Sequence, residues 1–238
     1  MNEQHDIITA FSEMAPRYEC LMNDELHRFW GFSYEGFLNQ VLSTFDPEPG
    51  DLILDIATGT GFIPGYLAKE RKKFGIIVGL DITFKMLQHA RRREVSGDGK
   101  NRLLLVCASA HEMPFKENTF DRIICCLATH HMQASALLIN VYHALKPGGR
   151  VVIADAGGSS KWKNLIIKSL VKAGAYVYFL LAENYSRAVA ESSAIANIYT
   201  STEWAGLFAT KKFHDIHVQQ LKSRRFYAPD PMIIKAQK

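Results

Sequence analysis

The sequence predicts an open, doubly wound α/β sheet of seven strands, mostly parallel, closed by an antiparallel hairpin at the C-terminal end. Three observations predict it. Five short, continuous runs rich in Val, Ile and Leu recur through the middle of the chain, as strands buried on both faces do. Segments of helical periodicity separate these runs, which implies right-handed crossovers. Two further strand-like segments follow near the end, joined by a short polar connection.

The five runs are "DLILDI" (Asp51–Ile56), "GIIVGLDI" (Gly75–Ile82), "RLLLVCA" (Arg102–Ala108), "DRIICCLA" (Asp121–Ala128) and "RVVIAD" (Arg150–Asp155). Between the fourth and fifth, Ala134, Leu137, Leu138, Val141, Ala144 and Leu145 recur at helical spacing within Met132–Leu145. "KPGG" (Lys146–Gly149) stops that helix, since Pro lacks a donor and Gly permits a left-handed turn. "HDIHVQQLK" (His214–Lys222) and "PMIIKAQK" (Pro231–Lys238), joined by "SRRFYAPD", make the hairpin. Residues 1–45 and 159–200 lie outside the alternation and read as helical additions to one domain spanning 1–238.

The chain has 238 residues, 47% hydrophobic and 22% charged, an ordinary composition for a soluble globular protein. A net charge of +4 is too mild for a nucleic-acid partner, which needs a clustered basic face. The N-terminus lacks the basic segment and apolar core of a secretory signal. Cys20, Cys107, Cys125 and Cys126 show no CxxC spacing and read as buried free thiols in a reducing, cytoplasmic setting. The apolar stretch Asn164–Ala182 is interrupted by Lys168, Lys172 and Gly174, so it reads as a helix covering apolar surface rather than as a stable membrane insertion.

The first run ends in "LDIATGTGF" (Leu54–Phe62), passing from strand to glycine-rich turn to helix. Gly59 and Gly61 let backbone approach a ligand closely, and the helix N-terminus that follows favours an anion. Asp81 ends the second run, where an acid commonly accepts from ribose hydroxyls. G-x-G-x-x-G is absent, so no pyrophosphate cradle is expected. A ligand with a ribose and a carboxylate fits better, and S-adenosylmethionine has that shape.

"LDIATGTG", "GLDIT..ML", "PFKENTFDRIIC" and "LKPGGRVVIAD" resemble successive motifs of the class I S-adenosylmethionine-dependent methyltransferases. "FSEMAPRYECLMN" (Phe11–Asn23), "HRFW" (His27–Trp30) and "YTSTEWAGLFATKKF" (Tyr199–Phe213) are similar to segments of the ubiquinone/menaquinone biosynthesis C-methyltransferases. The resemblance implies a Rossmann-like fold, S-adenosyl-L-methionine as methyl donor and S-adenosyl-L-homocysteine as product. It implies that Ala57, Gly59 and Gly61 hold the methionyl end, with Asp55 ordering the loop. Asp81 would bind the ribose, Ile82 and Met86 would pack on the adenine, and Ser109 and Ala110 would meet its edge. Leu127 would lie beside the methionine moiety. Two positions depart from the pattern: Ala57 replaces the commoner first glycine, and Ser109 replaces an Asp or Asn.

"ATHHM" (Ala128–Met132) begins at the carboxyl end of the fourth strand, where open α/β sheets bind ligands. The quinone methyltransferases carry Arg-Asn at this place, so the two histidines leave the acceptor class open. His131 is expected as general base or substrate orienter, supported by His130, because an imidazole titrates near neutral pH. The bland reading keeps both as capping or core residues. Tyr18 lies in a segment that resembles a lid over the cofactor (residues 1–45), as hydroxyl donor or as packing. The 161–181 elaboration, with Trp162, Tyr176, Tyr178 and Phe179, lines the acceptor site, packs on its own domain or forms a homodimer interface. His89, His111 and His143 are scattered, and no metal site is expected. Arg91–Arg93 reads as a solvated helix end. The expected activity is methylation of a small apolar or aromatic acceptor at carbon, oxygen or nitrogen. The rivals are non-methylating chemistry with the same cofactor, such as cyclisation, and a non-catalytic regulatory protein.

Overall fold

The computed structural model describes residues 3–69, 75–94, 102–225, 228 and 230–238. Three helices precede the first strand: α1 (Glu3–Met14), α2 (Tyr18–Phe29) and α3 (Tyr34–Phe45). A short 3-10 turn at Ala15–Arg17, with Pro16 inside it, separates α1 from α2. Ser33 starts α3 by accepting from the Gly36 N–H at 3.0 Å, which satisfies one of the orphan donors of a helix N-terminus.

The predicted alternation follows: β1 (Ile53–Ile56), α4 (Phe62–Lys69), β2 (Ile76–Asp81), α5 (Phe84–Glu94), β3 (Arg102–Cys107), β4 (Phe120–Cys126), α6 (Ala134–Ala144) and β5 (Leu145–Asp155). After β5 come α7 (Leu165–Ala182), α8 (Tyr185–Ala194) and α9 (Ser201–Thr210), then β6 (His214–Gln220) and β7 (Met232–Gln237). Among the described residues these strands form one seven-stranded sheet in the order β3-β2-β1-β4-β5-β7-β6. The first five are parallel; β7 runs antiparallel to both β5 and β6.

Side chains alternate across this sheet, and both faces are covered. Leu54, Ile56, Ile123 and Val151 pack with Leu137 and Val141 of α6 and Trp204 and Phe208 of α9. Ile53, Ile77, Ile124 and Val152 pack with Phe37, Leu38, Val41 and Phe45 of α3 on the other face. The strand order reverses between β1 and β4, and their diverging carboxyl ends open the crevice that the sequence places at this point.

Three expectations change. The helix before "KPGG" stops at Ala144, but Lys146–Gly149 continues as strand rather than as a turn. Leu145 pairs with Phe120, and the register then shifts before Arg122 meets Arg150. The residue before a proline favours extended backbone, and Gly148 (φ +78°) absorbs the irregularity. Cys125 is buried as expected, but Cys20 and Cys107 are exposed, the latter because β3 is an edge strand. Arg93 is not merely a solvated helix end, for it pairs with Glu19 of α2. In the long α7, Phe179 is the buried residue among those described. Part of the connection from Ser223 to Asp230, and the side chain of Trp162, lie outside the described residues.

The glycine turn after β1 is left-handed at three places: Ala57 (φ +56°), Gly59 (φ +56°) and Gly61 (φ +76°). A Cβ on Gly61 would sit 2.8 Å from the Ala90 Cβ, so this glycine lets α4 start close against α5. Ala57 carries the cost of an L-residue in that region. Ala57→Gly is therefore expected to raise stability by up to about 1 kcal/mol and Gly61→Ala to lower it by about 1–3 kcal/mol. Urea unfolding of both variants checks this, and equal or reversed shifts would contradict the turn as described.

Candidate active site

Two cavities meet at the sheet's carboxyl edge. The first, of about 470 Å³, lies against the glycine turn. Ala57, Asp81, Ile82, Ser109, Ala110 and His131 line it. Asp55 and Asp81 hold the turn from beneath. Thr58 Oγ1 donates to Asp55 Oδ2 at 2.6 Å, while burial pushes the Asp55 carboxyl up to about 7 against that bond. The Gly59 N–H donates to Asp81 Oδ2 at 2.8 Å and the Thr83 N–H to Oδ1 at 2.7 Å. Burial pushes Asp81 up, and the two N–H groups oppose that. Asp81 thus ties the turn to the end of β2 and still faces the cavity.

The other expected cofactor residues fall differently. A Cβ on Gly59 would meet nothing nearer than the Tyr18 ring at 3.9 Å, so the space above this glycine is an open cradle. Gly61 turns instead toward α5. Met86 is buried in α5 and is absent from the wall of this cavity. Leu127, left-handed at φ +54°, belongs to the wall of the second cavity. Ser109 Oγ already accepts from the His111 N–H at 3.2 Å.

The second cavity, of about 440 Å³, is apolar over most of its wall. Phe11, Met22, Phe29 and Trp30 come from the N-terminal helices, Leu127 from the sheet edge, and Tyr178 and Phe179 from α7. Its polar groups are Tyr18, Glu25, His130, His131, Asp155, Arg187 and Glu191. Tyr176, expected beside Tyr178, is not part of this wall. His131 lines both cavities.

The two histidines sit on a 3-10 turn, Thr129–His131, just after β4. Asp155, at the end of β5, pins this turn. It accepts from Thr129 Oγ1 at 2.5 Å, the His130 N–H at 3.1 Å and its own neighbour's N–H at Ala156 at 2.7 Å. His130 Nδ1 lies 2.6 Å from Asp155 Oδ1. Burial alone would lower the His130 imidazole, but the charge of Asp155 and this bond outweigh it and raise it. Asp155 is held low in turn: burial opposes, and His130 prevails.

His131 is the converse case. Burial and the neighbouring His130 hold its imidazole below the ordinary histidine range. Its side chain is 6% exposed. Nδ1 has no hydrogen-bond partner, and Nε2 faces Glu191 Oε1 at 3.4 Å without forming an aligned hydrogen bond. Phe11 braces the ring edge-on, with centroids 5.2 Å apart.

Glu191 arrives on α8, which the sequence reading left unassigned. Asn184 caps this helix by accepting from the Arg187 N–H at 2.9 Å. Arg187 and Glu191, one turn apart, then share a face and pair at 3.2 Å. Arg187 also donates to both carboxylate oxygens of Glu25, at 3.1 and 2.9 Å. Burial pushes Glu25 up despite this guanidinium, whereas Arg187 and His131 hold Glu191 well down against burial. His130, His131 and Glu191 come within 4.8 Å of one another, a spacing a cation would accept. Glu191 Oε1 is nonetheless the oxygen that Arg187 Nη1 already faces, so a fixed guanidinium competes for that place. The sequence offered only a helix cap, an i,i+4 pair and small residues at Ala188, Ala190 and Ala194; none of these shows what the helix faces.

Residues 54–153 match a family model described as a methyltransferase domain. The chain is 31% identical over 150 residues to a ubiquinone/menaquinone biosynthesis C-methyltransferase of Wigglesworthia glossinidia brevipalpis, covering 61% of this chain and 57% of that one. It is 30% identical over 180 residues to the protein of the same name from Rickettsia bellii, covering 72% and 68%. The match thus spans just over half the length of the first of these relatives. A phosphoethanolamine N-methyltransferase of Haemonchus contortus, solved with S-adenosyl-L-methionine, shares the fold. Its TM-score is 0.62 at 17% identity, over 96% of this chain and 60% of that one.

The His130–Asp155 pair gives stability a definite sign with pH. Because His130 is raised, its contribution is complete below the unfolded value of about 6.5 and is lost as pH rises through the folded value. The Asp155 part is lost only as pH falls through the carboxylate range. Asp155→Asn should therefore cost more stability at about pH 5.5 than at about pH 8.5. Denaturant unfolding at both values decides it, and an equal cost would mean that His130 is not charged by its partner.

Proposed function

We propose that this chain, which belongs to the class I S-adenosylmethionine-dependent methyltransferases, methylates an apolar, ring-bearing acceptor with an ionisable hydroxyl. The observation that carries this reading is the position of His131, a buried imidazole in the wall of both cavities with Nδ1 unpartnered. The first cavity suits the donor. Its volume of about 470 Å³ lies within the usual range for small-molecule sites. Ala57 and the open cradle at Gly59 would take the methionyl end, Asp81 the ribose hydroxyls, and Ile82, Ser109 and Ala110 the adenine. S-adenosylmethionine supplies a methyl group already activated on a sulfonium.

What remains for the chain is to hold the acceptor and remove its proton. The apolar wall of the second cavity orients a ring and any aliphatic tail while excluding water. His131 Nδ1 takes the hydroxyl proton, and Glu191 beside Nε2 stabilises the imidazolium that results. The anion formed is nucleophilic at oxygen and at the adjacent ring carbon. Burial holds the Tyr18 hydroxyl above the ordinary phenol range, so Tyr18 acts as a donor to the acceptor oxygen and not as a base. The relatives named for ubiquinone/menaquinone C-methylation favour carbon as the atom methylated. A cyclising or non-catalytic role would yield no methylated product together with the demethylated cofactor, and an assay with lipophilic phenols and quinols separates these readings.

His131→Ala should lower kcat by about 10²–10⁴-fold while donor binding by calorimetry persists. Because His131 is held below its ordinary value, the acid limb of kcat/KM should lie below about pH 6.5 and vanish in the variant. Unchanged turnover would remove His131 from the chemistry. Asp81→Ala should weaken donor binding by about tenfold or more, since it strands two N–H groups and loses the hydroxyl acceptor. Equal affinity in the same calorimeter would move the ribose elsewhere.

A further inference from the structure

The long helix α7 has two apolar faces, and the protein covers only one. Taking about 100° per residue, Tyr178, Val171, Ala175 and Phe179 share the side that forms the wall of the second cavity. On the opposite side Leu165, Leu180, Ile166, Val177, Leu170 and Leu181 fall on an arc of about 160°. These six are exposed, Leu165 to 80%, Ile166 to 71% and Leu181 to 82%. A contiguous apolar stripe of this kind marks an interaction surface.

Charge identifies the partner. Residues 159–182 hold four lysines (Lys161, Lys163, Lys168, Lys172) and no aspartate or glutamate. Three of the four lie before or in the first turn of α7, and Lys172 falls midway. Lys168 turns to the protein and donates to the Ala196 carbonyl at 3.1 Å, whereas Lys161 and Lys172 are exposed. Lys172 is exposed at the edge of the apolar arc. An exposed apolar stripe with Lys161 before it, Lys172 at its edge and no acid in residues 159–182 fits an anionic lipid surface, where the stripe enters the headgroup boundary and these two lysines meet phosphates. The helix lies along such a surface rather than crossing it. It is tied to the body through Tyr178, which stacks edge-on with Phe29 at 5.7 Å and lies under Arg28. By length and composition alone its 18 residues could cross a membrane, but its cavity-facing side is held against the protein, which leaves the other side to meet a surface.

We propose that α7 docks this protein on an anionic membrane and places the second cavity against the bilayer, so that a lipid-soluble acceptor enters from the lipid phase. The entry route rests on reading that cavity as the acceptor site; the docking does not. The test is flotation of the full chain with phosphatidylcholine vesicles, with and without phosphatidylglycerol, beside the double variant Ile166→Glu/Leu170→Glu. The wild type should float with the anionic vesicles and release at high salt. The double variant should lose vesicle partitioning by about a hundredfold, while calorimetric donor binding reports that it remains folded. Absence of flotation on both vesicle types would overturn the proposal. So would a wild-type dimer in sedimentation that the variant dissociates, for a second copy would then be the occupant. Flotation with no turnover of any vesicle-borne phenol or quinol would keep the docking and reject the acceptor reading and the entry route with it.

Discussion

The buried carboxylate of Asp155 governs the geometry of the site. At 1% exposure, with its charge intact, it is tolerable only if every oxygen is satisfied and a counter-charge lies beside it. The turn after β4 supplies both, through the Thr129 hydroxyl, the His130 N–H and the His130 imidazole. Two adjacent parallel strands are thereby locked together at their carboxyl ends. His131 is the next residue on that locked turn, so its place between the cavities follows from the cost of burying its neighbour's partner.

The same pairing separates the behaviour of the two histidines. One imidazole faces a carboxylate at hydrogen-bond distance and is raised; the other faces burial and a cationic neighbour and is lowered. Identical side chains at adjacent positions are thus shifted in opposite directions by what each one faces. Arg187 performs a related division on α8. It pairs through one nitrogen with Glu191, which faces His131, and through the other with Glu25.

Strain gathers at the same edge. Ala57 and Leu127 are both left-handed, one after β1 and the other after β4, at the two lips of the crevice. Neither residue type favours this conformation, so the surrounding bonds must impose it. The Leu127 N–H is held by the Ala154 carbonyl at 2.7 Å, one residue before Asp155. The strained turns and the buried ion pair are parts of one arrangement that keeps backbone, carboxylates and imidazoles aimed at the crevice.

Periodicity and local chemistry made much of this legible in the chain. Continuous Val, Ile and Leu runs can be satisfied only by strands covered on both faces, and glycines at 59 and 61 with an acid at 81 mark the tight turn at the sheet's carboxyl edge, although Gly61 proves to face α5. The Ala134–Ala144 helix, the C-terminal hairpin and the location of "ATHHM" followed from the same rules. The chain could not show that "KPGG" continues as strand, because that depends on the register with β4. It could not assign Glu25, Arg187 and Glu191, whose spacing along their helices is that of ordinary surface charges. Their partners lie far off in the chain, as Glu25 does from Arg187, 162 positions away, and His131 from Glu191. Local sequence determined which elements form and which strand ends bear reactive side chains. Only the tertiary structure decided which distant charges face them, because burial and partner distance set the protonation of each group.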